Sequence, residues 1–253
     1  MKKIILLLSA TVFLISCSKT KYVISGTVAG IENGKTVIME TSDAAGMGLV
    51  AVDTVKVENG KFKIEGKALE PSFHMLQVEG VNGKVPFILE NGDISIVIYK
   101  DSLNKSKISG TYNNDEFSSF NKELEKIQKP LADFQKNNTA SMNTAQQTKD
   151  TAVINKLMME FGKIQQSVGE TSKKKYTDYA ESHPKSFISA LIIQGMSNDP
   201  AVDVTKIEKL YAGLDASLKS TKPGKTIENK IKEIKSAPSA VGSASAPAGT
   251  PAN

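Results

Sequence analysis

One Cys, two His and no Arg among 253 residues leave few side chains for chemistry. A sole thiol, Cys17, excludes disulfides within the chain, Cys-rich zinc sites, iron–sulfur clusters and Cys-x-x-Cys redox pairs. His74 and His183 are too few for a multi-histidine metal centre. All 32 basic residues are Lys, which argues against the bidentate phosphate and base recognition that Arg geometry serves. Asp53, Glu90 and Asp93 are the acids a carboxylate hydrolase would need, but no spacing places two of them on one cleft. His74 lies in Phe73-His74-Met75-Leu76 and reads as a strand histidine with one face to solvent. His183 precedes Pro184 and reads as a helix-end cap. Ser42-Asp43-Ala44-Ala45-Gly46-Met47-Gly48 lacks the Gly-Lys-Ser/Thr ending of a phosphate loop. Its Ser42, Asp43, Gly46, Met47 and Gly48 are the candidate binding loop. No residue is assigned a catalytic, metal-ligating or cofactor-binding role, and the chain reads as a non-enzyme.

The thiol has a different context. Lys2 and Lys3 precede an apolar run, Ile4 to Ile15, of signal-peptide length and too short to span a bilayer. Leu14-Ile15-Ser16-Cys17 resembles a bacterial lipobox. That resemblance implies cleavage before Cys17 and acylation of its thiol, and hence a protein anchored to a bacterial membrane. Removing Lys2 and Lys3 lowers the formal net charge of +5 by two, leaving no electrostatic case for nucleic acid. No acidic run follows Cys17, which favours a protein facing the periplasm.

These residues must sit on a framework that the hydrophobic pattern predicts. Residues 22–112 alternate with period two: strands over Tyr22–Val28, Thr36–Met39, Val50–Val57, Phe62–Ile64, Phe73–Val78, Val85–Leu89, Ile94–Ile98 and Lys107–Ser109. Val50, Val52 and Thr54 share one face of theirs. Asn-Gly recurs at Asn33-Gly34, Asn59-Gly60, Asn82-Gly83 and Asn91-Gly92, which suits type I′ hairpins, clearest at Val57–Phe62 and next at Leu89–Ile94. No crossover helix fits between the strands, so a parallel α/β sheet is disfavoured. Over 113–235 the period becomes helical. Phe117, Phe120, Leu124, Ile127, Leu131 and Phe134 form one stripe, capped by Asn114 or Asp115 and interrupted at Pro130. Asn137–Asp150 reads as a loop. Ile154, Leu157, Met158, Phe161, Ile164 and Val168 form a second stripe running to about Glu181. The stripes pair with each other, or serve self-association. Phe187–Ile192, Ile207–Leu218 and Ile227–Ile234 are further helices. Residues 236–253, rich in Ser, Ala, Pro and Gly, cannot bury enough to order themselves. The fold class is α+β: a signal peptide (1–16), a lipidated tether (17–21), an antiparallel sandwich or barrel-like domain, an antiparallel helical segment and a disordered tail.

The ordered series Tyr22-x-Ile24-x-Gly26, Gly34-x-x-Val37, Asp53-Thr54-x-x-Val57-x-Asn59-Gly60-Lys61-Phe62-x-Ile64-x-Gly66, Pro71, Phe87-x-Leu89-Glu90-Asn91-Gly92 and Ile108-Ser109-Gly110 resembles a family. It is a domain of unknown function at the N-terminus of envelope-anchored thiol–disulfide oxidoreductases. The resemblance covers about Tyr22 to Asn114. In such relatives a thioredoxin-like domain with Cys-x-x-Cys follows. Here Ala240-Val241-Gly242 and Ala246-Pro247 stand where that domain would open, without its cysteines, so the redox activity is not carried over. The expected function is a non-catalytic binding or adaptor lipoprotein, accessory to a thioredoxin-like envelope partner. The alternative is a ligand-binding lipoprotein for a glycan or peptide.

Overall fold

The computed structural model describes residues 20–43, 47–199 and 203–236. The chain divides into two compact units, 1–118 and 119–253, a few residues later than the change of period at Tyr112.

The first unit holds eight strands: β1 (Tyr22–Val28), β2 (Thr36–Ser42), β3 (Leu49–Lys56), β4 (Lys61–Gly66), β5 (Ser72–Val78), β6 (Lys84–Leu89), β7 (Gly92–Ile98) and β8 (Lys107–Ser109). They form two four-stranded sheets, ordered β4-β1-β7-β8 and β3-β2-β5-β6. Ile24, Ile64, Ile94 and Ile96 from one sheet, and Val37, Met39, Leu76 and Phe87 from the other, make a single buried core. The alternation of apolar and polar residues creates this arrangement, because β1, β4, β5 and β7 bury every second side chain.

The pairing departs from the expected all-antiparallel scheme at one place. β1 and β7 run parallel, from Tyr22 opposite Gly92 to Val28 opposite Ile98. The intervening chain crosses to the other sheet and back twice, through β2-β3 and through β5-β6, so no crossover helix is required. The expected hairpin at Leu89–Ile94 is not one, since β6 and β7 belong to different sheets. Its Asn91 side chain spends its amide on Ala68 instead, accepting from the N–H at 2.9 Å and donating to the carbonyl at 2.8 Å. Among the four Asn-Gly pairs only Asn59-Gly60 has positive φ at both residues, 52° and 70°. That is the type I′ geometry, closed by two hydrogen bonds between Glu58 and Lys61.

The repeated aromatic-x-Ile-x-Gly pattern has a physical explanation. β1 and β4 are antiparallel, and the register sets Tyr22 opposite Gly66, Ile24 opposite Ile64 and Gly26 opposite Phe62. Each aromatic ring lies across the glycine facing it. A Cβ built on Gly26 would fall inside the Phe62 ring, and one on Gly66 against the Tyr22 ring. Either glycine exposes backbone that the opposite ring covers.

α1 (Tyr112–Thr148) starts in this unit. Asn114, fully buried, does not cap it. Its side chain pairs with Ile88 as a backbone would: Oδ1 accepts the Ile88 N–H at 2.9 Å and Nδ2 donates to the Ile88 carbonyl at 2.7 Å. Phe117, the first residue of the expected stripe, meets Phe73 edge-on at 6.1 Å.

In the second unit, α1 continues through Pro130 and through the stretch expected to be a loop, to Thr148. Polar residues are tolerated there because Asn138 and Thr139 donate to the carbonyls of Phe134 and Gln135, one turn back, and because Ala145 is buried. α2 (Thr151–Ser182) is capped by Asp150, which accepts from the Val153 N–H. The stripes meet through Phe134 and Phe161 at 5.8 Å and through Phe120 and Tyr179 at 4.5 Å. α3 (Phe187–Ser197), α4 (Val204–Gly213), α5 (Ala216–Lys219) and α6 (Lys222–Ser236) complete the unit. The expected single helix over Ile207–Leu218 is broken at Leu214-Asp215, where Asp215 caps α5. No helix among the described residues is long and apolar enough to cross a membrane.

Candidate functional site

The candidate loop lies between β2 and β3, and its described residues are held together. Asp43 organises it: its N–H donates to the Gly48 carbonyl at 2.9 Å, and its Oδ1 accepts the Met47 N–H at 3.0 Å. Ser42 pairs across the ladder with Leu49. Gly46 lies outside the described residues, as do Ala44 and Ala45. Cys17 lies outside them too.

Met47 and the strand after it present apolar side chains. Met47 is 87% exposed, and the strand it leads into carries Leu49, Val50 and Val52 at 42, 45 and 48%. β3 is the outer strand of its sheet and pairs only with β2. The register shifts between Met39 and Glu40, which face Asp53 and Ala51, so Val52 is the extra residue of a bulge. This interrupts the expected sharing of one face by Val50, Val52 and Thr54. An outer strand with consecutive exposed aliphatic residues offers another chain both backbone and side-chain contacts. The visible sequence signal was Leu49-Val50-Ala51-Val52, whose unbroken apolarity does not fit a strand with one wet face.

Strand directions fix which end of the sandwich the loop occupies. β4 and β3 meet at the Asn59-Gly60 turn, beside the C-terminal end of β1, where the Val28 N–H donates to the Gly60 carbonyl. Asp43, Met47 and Gly48 therefore lie at the other end, with Tyr22. There the Gly92 N–H donates to the Lys21 carbonyl at 2.9 Å, fixing the point where the N-terminal chain enters. The connection 67–71, between β4 and β5, crosses the same end. It carries Leu69, 94% exposed, which sequence reasoning missed. Its signal was an isolated Leu in Lys67-Ala68-Leu69-Glu70-Pro71.

The acids are not brought together. Asp53 lies on β3, where its Oδ1 accepts the Thr54 N–H and its charge, after burial, raises the pKa of Tyr22. Glu90 holds the start of α1, accepting from the N–H and the Nδ2 of Asn113 at 2.9 and 2.6 Å. Asp93 faces outward one residue into β7. His183 caps α2 as expected: its N–H donates to the Tyr179 carbonyl, and its ring stacks on Tyr179 at 4.2 Å.

His74 is a correction. It has no face to solvent, being buried beside Leu76 and Val78 on the inward side of β5, with Phe87 at 5.9 Å. Burial lowers its pKa, against a smaller raising effect from the Ser72 carbonyl. Above the ordinary value of 6.5 the ring is neutral in both folded and unfolded chains. Below it the unfolded chain takes the proton first, so stability falls as the pH drops towards the folded pKa. His74→Leu is expected to remove this acid-side loss. Thermal midpoints of the β unit compared at about pH 7.5 and about pH 5 would converge in the variant and diverge in the parent.

Residues 22–117 match one family model, described as Domain of unknown function (DUF4369). The match begins at the first residue of β1 and ends at Phe117, on its contact with Phe73. No curated protein matches the chain.

Proposed function

With residues 22–117 matched to a domain of unknown function, we propose that this chain is a lipid-anchored envelope protein of a bacterium whose β unit is a non-catalytic binding or adaptor module. The carrying observation is the outer strand β3, one-sided in its pairing and lined by exposed Val50 and Val52. A partner segment in extended form would add to that strand, with backbone bonds supplying affinity and the aliphatic side chains supplying preference. Lys2, Lys3, the apolar run to Ile15 and Cys17 support the anchor. The resemblance to the leading domain of thiol–disulfide oxidoreductases supports a thioredoxin-like partner facing the periplasm. The same edge supports a second reading, a peptide-binding lipoprotein. Val50 and Val52 suit peptide side chains better than the hydroxyls of a glycan.

The test is site-specific crosslinking in intact envelopes. A photoreactive residue at position 50 is compared with one at exposed Ser25, on the opposite sheet. Capture of a thioredoxin-like protein from position 50 alone, reduced about tenfold or more by Val52→Asp, is the expected result. Equal capture from both positions, or persistent absence of such a protein, counts against the adaptor.

A further inference from the structure

We infer that one face of the α1–α2 hairpin is the interface of an antiparallel dimer of this chain. The face lies on the helical unit and does not depend on what β3 binds. The apolar stripes of the two helices are spent on each other, through Phe134 on Phe161 and Phe120 on Tyr179. At about 100° per residue, the face beside the stripes carries Leu131, Gln135, Thr139 and Met142 on α1. On α2 it carries Met158, Gly162, Gln165 and Gly169. In an antiparallel pair both sets look the same way, and Gln135, Thr139, Met142 and Met158 line one groove of about 250 Å³ with Phe134 and Phe161. Met158 is 62% exposed, and a Cβ on Gly162 or Gly169 would meet nothing. The middle of this face is uncharged. Lys126, Lys129 and Asp133 of α1, and Lys156, Glu160 and Lys163 of α2, project from other sides. Lys126 and Lys129 pair along their own helix with Glu123 and Asp133.

Charge and shape select a second copy as the occupant. Glu125 and Lys136 are exposed on the α1 border of the face, carry opposite signs and have no ion-pair partner among the described residues. They stand about 16 Å apart along the helix. A half-turn of a second hairpin about an axis midway between them, beside Leu131, sets each Glu125 against the other copy's Lys136. Leu131 then meets its own counterpart. The two ring contacts fix where this axis crosses α2, between Gln165 and Gln166. Gly162 of one copy there lies over Gly169 of the other, so the backbones can close. The charges on α1 and the glycines on α2 thus point to one axis independently. Leu124 of the second copy falls over the groove between Gln135 and Asn138. Lys173, at the base end of the face, lies opposite Met158 and meets no cation. The face runs about 27 Å from Leu124 to Met142 and is two helices, about 20 Å, wide. With the ridges of the helix surface counted, that approaches the roughly 800 Å² per partner of a stable dimer. The product is a four-helix bundle in which every helix has antiparallel neighbours.

The full chain is co-expressed with two different C-terminal affinity tags, extracted in mild detergent and purified on the first. Recovery of the second tag reports the dimer. Glu125→Lys alone, or Lys136→Glu alone, sets like charges together twice in each dimer and is expected to lower recovery about fivefold or more. The double reversal restores opposite signs and should return most of the loss, a pattern that neither unfolding nor shared detergent produces. Gly162→Leu holds the backbones apart and should lower recovery as the single reversals do. All three positions are exposed, so far-UV circular dichroism should match the parent. Absence of the second tag with the parent chain, recovery unmoved by the single reversals or by Gly162→Leu, or a double reversal no better than the singles would overturn the inference.

Discussion

Asn114→Ala is expected to destabilise the β unit by about 3 kcal/mol, because two buried backbone groups lose their partner at once. Ile88 sits on β6, the outer strand of its sheet, and Asn114 supplies the hydrogen bonds that a further strand would have made. The side chain is fully buried, and its Nδ2 also reaches the Thr111 hydroxyl at 2.8 Å. After truncation the Ile88 N–H and carbonyl would stay dry and unpaired, each costing about 1–3 kcal/mol. Asn114→Asp separates the two halves of the interaction. It keeps an acceptor for the N–H but sets a carboxylate oxygen against the Ile88 carbonyl, so it too should be destabilising. Hydrogen exchange at the Ile88 amide is the direct measurement. Exchange accelerated by about a hundredfold in Asn114→Ala is the expected outcome, and unchanged protection would show that Asn114 is not the partner that matters.

The glycine–aromatic pairs on β1 and β4 predict an effect of similar size that can be partly reversed. Gly26→Phe would drive a ring into the space of Phe62, and Phe62→Gly would uncover the core. Each should cost about 3 kcal/mol or more. The exchange of both, Gly26→Phe with Phe62→Gly, moves the ring to β1 and the glycine to β4. Tyr22 and Gly66 already have that arrangement at the other end of the same ladder. The double variant should therefore lose about 2 kcal/mol less than the sum of the singles, the signature of residues that share one space. Urea unfolding followed by the hydrogen exchange of β1 and β4 amides measures all three. Strict additivity would mean that ring and glycine are independent.

The strand positions were legible because strands such as β1, β4 and β7 bury alternate residues, and Tyr22–Val28 and Lys107–Ser109 are found as expected. Partner choice was not legible. Asn91-Gly92 looks locally like a hairpin, but the Asn91 amide is claimed by Ala68, far along the chain, and the two strands part to different sheets. The parallel neighbour of β1 is likewise set by the packing of Ile24 and Ile94, not by any turn. Asn137–Asp150 misled because its composition is polar. Thr139 and Asn138 satisfy themselves against their own helix, and Ala145 from that stretch is buried. At the candidate site, Ser42, Asp43, Met47 and Gly48 were identified from composition and do form one connection. Leu69 could not be joined to them, because only the strand directions bring 67–71 to the same end.

The placement of β1 between β4 and β7 has a consequence for how the domain is born. A ribosome releases Tyr22–Val28 first, yet one of its two neighbours, Gly92–Ile98, is made dozens of residues later. The earliest segment must therefore wait with half of its edge unsatisfied until the seventh has emerged. Such remote pairing raises contact order and slows closure, so the interval before Ile98 has emerged in the compartment where the chain folds is when it most needs shielding from its neighbours.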